Sequence, residues 1–99
     1  MSDETFGFVS PPFKPDEALE RLKRELRALG LSEREGAFER RSLLMARAVI
    51  ADGKITASIA RSPARSPEWR TRSLASSADL RDFVADLKKS MAQWSDRDD

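Results

Sequence analysis

Residues 38–61 read FERRSLLMARAVIADGKITASIAR, and the dipeptide Asp52-Gly53 within them decides how the chain is understood. A two-residue hairpin turn needs positive φ at both central positions, and Asp-Gly is one of the few dipeptides that supply it at small cost. Pairing outward from the turn sets Ile50 opposite Ile55, Ala48 opposite Ala57 and Ala46 opposite Ile59, so these six share one face. The other face receives Val49 with Thr56, Arg47 with Ser58 and Met45 with Ala60. A slip of one residue would expose both isoleucines and bury Arg47, so the register is strongly specified. The alanines keep the dry face shallow enough for a helix to approach it closely.

Two helices fit that face. From Pro15 to Leu29 the apolar positions Leu19, Leu22, Leu26 and Leu29 recur at spacings of three and four, with charged residues between them. Pro15 suits a first helical turn, and Gly30 suits the left-handed residue that ends a helix and lets Leu31 fold back on Leu26. The second helix follows the capping candidates Ser76 and Ser77, and Leu80, Phe83, Val84, Leu87, Met91 and Trp94 form its stripe. Its aspartates come early and Lys88 and Lys89 late, as the helix dipole prefers.

Between these anchors, Ser32 and Glu35 of SERE are expected to cap a brief helical turn. The Ser62-Pro63 and Ser66-Pro67 steps are expected to form a surface loop, because proline cannot donate to a central ladder. WRTRSL, residues 69–74, then makes a third strand with Trp69 and Thr71 on one face and Arg70 and Arg72 on the other. Leu74 departs from the alternation if Trp69 marks the core side, which predicts a bulge or an early strand end. The expected fold is α+β, a two-layer sandwich of order α-β-β-β-α, with a three-stranded antiparallel sheet and two helices on one face. Residues 1–14 form an N-terminal arm, 15–95 a single domain and 96–99 an acidic tail. In that arm Phe13 is expected to pack on the domain, while Phe6 and Phe8 are candidates for a partner's groove.

The order of these elements is similar to that of the double-stranded RNA-binding domain, and the likeness ends there. That family grips phosphates with basic residues at the start of its second helix, where this chain has SSADLRD with Asp79 and Asp82.

Composition narrows the chemistry. The 99 residues contain no cysteine and no histidine, which removes disulfides, thiolate sites, the usual general base and the commonest metal ligand. The carboxylates lie on polar helix faces beside basic neighbours, so neither an enzyme, a metal nor a cofactor is expected. The opening MSDETFGFVSPPF is acidic and proline-broken, unlike a signal peptide, and no stretch approaches the ~20 apolar residues that span a bilayer. A soluble cytoplasmic protein with no membrane contact is expected.

Charge is unevenly spread. Residues 1–35 carry net −2, residues 36–75 net +5 and residues 76–99 net −2. The candidate binding surface is therefore Arg47, Arg61, Arg65, Trp69, Arg70 and Arg72, with Arg47, Arg70 and Arg72 expected to share the face away from the helices. A small non-enzymatic interaction module follows, binding another protein or itself, a homodimer included. It would act through a sheet edge or through the arm residues Phe6, Phe8 and Phe13. The alternative is nucleic-acid binding, since grouped arginines release counterions from phosphates and a tryptophan stacks on a base.

Overall fold

The computed structural model describes residues 13–98. Helix α1 spans Pro15–Ala28 and is followed by five strands: β1 Ser32–Arg34, β2 Ala37–Arg40, β3 Leu43–Ala51, β4 Lys54–Ala64 and β5 Trp69–Leu74. Helix α2, Ser77–Asp98, closes the order. The sheet is an antiparallel meander in which each strand pairs with its sequence neighbours. The three-stranded expectation is therefore corrected to five strands, order α-β-β-β-β-β-α, which also removes the shared element order with the double-stranded RNA-binding domain.

The two unexpected strands come from turns the sequence disguises. Three successive two-residue connections, Glu35-Gly36, Arg41-Ser42 and Asp52-Gly53, have positive φ at both positions, from 52° to 84°. That is the twist antiparallel hairpins require. Residues 32–35 thus make a strand and enter a turn, where a capped helical turn was expected. Arg41 and Ser42 hold the left-handed region without glycine or asparagine, so nothing in their identity announces a turn.

The Asp52-Gly53 hairpin forms in the expected register from Ala51↔Lys54 to Ala46↔Ile59. Met45 does not meet Ala60, because the ladder shifts between Leu44 and Ala46 and next pairs Leu44 with Ala64. Accordingly β4 runs through Ser62 and Pro63, which were expected in a loop; proline is tolerated where the ladder is interrupted. Only residues 65–68 connect β4 to β5.

Both helices pack on one side of the sheet. The covered face carries Phe38, Ala46 and Ile59 in one transverse row, Ala48 and Ala57 in the next, then Ile55 with Leu74. All seven are buried. Above them sit Leu22 and Leu26 of α1 and all six stripe residues of α2. Burying a side chain such as Phe38 or Phe83 contributes about 1.5–3 kcal/mol. Ile50, expected in this dry row, is 39% exposed, although its cross-strand partner Ile55 is fully buried.

Local rules fix the helix ends. Pro15 opens α1, and Gly30 (φ 90°) ends it: its N–H donates to the Arg27 carbonyl at 2.9 Å, and the Leu31 N–H to the Leu26 carbonyl at 3.2 Å. For α2, the Ser76 hydroxyl accepts from the Asp79 N–H at 3.1 Å, while the Asp79 carboxylate accepts from the Ala75 N–H at 2.9 Å. Because an odd number of strands separates them, α1 and α2 run parallel. Their N-termini share one hollow, lined by Phe13, Lys14, Ser76 and Ser77. Their C-termini lie at the end of the sheet that holds the Arg41-Ser42 turn and the β4–β5 loop.

Candidate interaction surface

Among the described residues, no helix covers the other side of the sheet. Cross-strand partners share a face, so one row crosses all five strands there: Arg34, Ala37, Arg47, Ser58 and Thr71. Arg47 stands at its centre. Its guanidinium lies 4.5 Å from the centre of the Trp69 ring, and its Nε donates to the Ser58 hydroxyl at 3.5 Å. That hydroxyl is 2.8 Å from Thr71 Oγ1 and is almost fully buried. An exposed cation–π contact contributes about 0.5–1 kcal/mol, enough to hold the arginine along the sheet while the two hydroxyls satisfy each other. The result is an arginine–tryptophan pair, residue types enriched where proteins meet, beside the exposed Thr71 and Val49 and above the buried Ser58.

The other arginines do not join this patch. In β5, Arg70 pairs with Ile59, Arg72 with Ala57 and Leu74 with Ile55, so all three point to the helix side. The expected alternation along β5 holds, but its assignment to faces is inverted. Trp69 belongs to the uncovered face, and Leu74 continues the pattern without a bulge. Arg72 forms an ion pair with Asp86 of α2 and lies 5.6 Å from the centre of the Phe83 ring. Arg61 pairs weakly with Glu68 at 3.9 Å. Arg61 and Arg70 line an open recess of about 620 Å³ together with Ser90, Gln93, Trp94 and Asp96. Arg65 is exposed in the short loop. The six candidate residues thus divide into Arg47 with Trp69 on one face, Arg61, Arg70 and Arg72 on the other, and Arg65 in the loop beyond.

Of the arm residues, Phe13 is half-buried against the core, as its position predicts. Phe6 and Phe8 lie outside the described residues.

A sheet edge was expected, but the sequence did not place it on β5. The Arg61 N–H donates to the Glu68 carbonyl at 2.8 Å, which fixes the phase of the β4–β5 ladder. Antiparallel ladders alternate bonded and non-bonded pairs, so Arg70, Arg72 and Leu74 turn their backbone groups toward β4. Trp69, Thr71 and Ser73 turn theirs outward. The ladder has no register shift along these six residues, and no proline interrupts them. The opposite edge is different: β1 has three residues, and its Glu33 is held against α1 by Lys23 and Arg27, each at 3.6 Å. Recognising Leu74 as the inward-facing residue would have located this edge from sequence.

Among the described residues there is no group of three or more acidic, histidine or cysteine side chains that could hold a metal ion. No helix among them is long and apolar enough to cross a membrane. The chain matches no family model, no curated protein and no solved structure.

Proposed function

We propose that the chain is a small non-enzymatic binding module that recruits a protein partner along β5, with the Arg47–Trp69 patch supporting the contact. The observation that carries this is the regular outer edge of β5, where Trp69, Thr71 and Ser73 present backbone donors and acceptors next to a sheet face that no helix among the described residues covers. An extended segment can extend such a sheet by main-chain hydrogen bonds, with specificity supplied by its alternate side chains. The dispersal of the arginines speaks against a phosphate backbone as the main ligand, since several cations must face one strand to release counterions together.

Selection of a random decapeptide library on the full chain tests this. Enriched peptides should protect the amides of Trp69, Thr71 and Ser73 and lose affinity for the Ser73→Pro variant. That variant removes one outward N–H at an exposed position and leaves the β4–β5 bonds in place. Enriched peptides that act elsewhere and are indifferent to Ser73→Pro would refute the proposal.

A further inference from the structure

We infer that the β5 edge rejects a second copy of this chain and selects an extended partner segment with acidic residues at alternate positions. This rests on the strand-addition reading above and names the partner's chemistry. Arg70 and Arg72 project from β5 on the helix side, two residues apart, while Trp69, Thr71 and Ser73 project on the uncovered side. A strand laid beside β5 therefore places every second side chain next to these arginines. The intervening side chains fall next to Trp69 and the two hydroxyls.

Symmetric self-pairing is opposed by the same arginines. A twofold axis that joins two β5 edges antiparallel stands perpendicular to the sheet, so residues facing each other keep the same side. Two such registers engage five residues of each strand. The one centred on Thr71 sets Arg70 against Arg72 twice, and the one centred on Arg72 sets Arg72 against itself. Like charges directly opposite are destabilising, and charge on an edge is a common device against self-association.

A partner with glutamate or aspartate at those positions reverses the sign. Among the described residues Arg70 makes no ion pair, although Asp96 lines the same recess. Arg72 is shared with Asp86, whose side chain is half exposed. The cation awaiting an acidic neighbour is thus mainly Arg70, with Arg61 next to it across the recess. Between the two acidic positions the partner carries an apolar or hydroxylic residue, which lies beside Thr71 and within reach of Trp69.

The test is a titration of the isotope-labelled full chain with three capped heptapeptides, followed through backbone amide signals. In the first peptide glutamate alternates with valine; the second has the same composition with the glutamates contiguous; the third replaces glutamate by lysine. The alternating acidic peptide should perturb and protect Trp69, Thr71 and Ser73. The contiguous isomer should bind about tenfold more weakly, and the lysine analogue should not saturate. Arg70→Glu should invert the preference toward the lysine peptide, and Arg70→Ala should abolish it if the glutamate variant fails to fold. Equal binding of all three peptides at β5 would overturn the acidic preference while leaving strand addition standing. No protection of β5 by any of them would overturn both. Saturable shifts at Arg61 and Arg70 with a thymidine oligomer, in the absence of peptide binding, would assign the recess to nucleic acid and overturn the inference.

Discussion

The β2–β3 turn carries a residue choice that its geometry does not favour, and correcting it should stabilise the protein. Arg41 and Ser42 have φ of 55° and 66°, so both central positions of the turn are left-handed without glycine. Such a conformation costs a non-glycine residue about 1–2 kcal/mol, and less for asparagine, whose short side chain tolerates it. Both residues are exposed, and among the described residues neither side chain makes a hydrogen bond or an ion pair. Ser42→Gly therefore removes about 1–2 kcal/mol of strain, offset by roughly 0.4–1 kcal/mol from the greater freedom of glycine in the unfolded chain. Arg41→Asn should add a further ~0.5 kcal/mol. The double variant should gain about 1 kcal/mol, which for a domain of this size raises Tm by roughly 4–8 °C. Thermal and urea unfolding followed by circular dichroism read this directly, with an unchanged denaturant slope expected. A double variant that melts lower than the parent would mean that residues 41 and 42 do not form this turn, and β1 and β2 would lose their place in the sheet.

Two glycines with similar φ should respond differently to alanine. At Gly53 an added Cβ meets nothing within 4 Å, so Gly53→Ala should cost about 1–2 kcal/mol from backbone strain alone. At Gly36 the same atom lies 3.2 Å from the Ala48 carbonyl and 3.3 Å from a Val49 methyl, so Gly36→Ala should exceed it by about 1 kcal/mol or more; equal losses by urea unfolding would refute the close packing of β2 on β3. A double-mutant cycle between Ser58→Ala and Thr71→Val should show a coupling of about 0.5–1.5 kcal/mol, and additive losses would deny their hydrogen bond. Asp86→Asn should cost under about 1 kcal/mol and lose its effect in high salt, because its pair with Arg72 is half exposed; a loss above about 2 kcal/mol would contradict that exposure.

The elements with strong local signals were legible in the residues. Leu22 and Leu26 of α1, the six-residue stripe of α2 and the Asp52-Gly53 register as far as Ala46↔Ile59 appear as their spacing predicts. What escaped has definite physical causes. Glu35-Gly36 and Arg41-Ser42 are not dipeptides with a high intrinsic preference for this turn; tertiary pairing holds them there, and the three- and four-residue strands around them are too short to show a period. Phe38 was the one visible sign of β2, and it is fully buried opposite Ala46. In β5 the size of Trp69 suggested the helix side, but Leu74 faces the helices, while Trp69 packs half-buried against the core from the other side of the sheet, under Arg47. That inversion is why the expected arginine surface divides between two faces.

Amide exchange along β5 in the free, dilute protein tests the central claim most directly. Arg70, Arg72 and Leu74 should be protected by their bonds to β4, while Trp69, Thr71 and Ser73 exchange at rates close to those of an unstructured chain. Uniform protection across residues 69–74 would show that the edge is already paired or covered, and would leave no strand available for a partner.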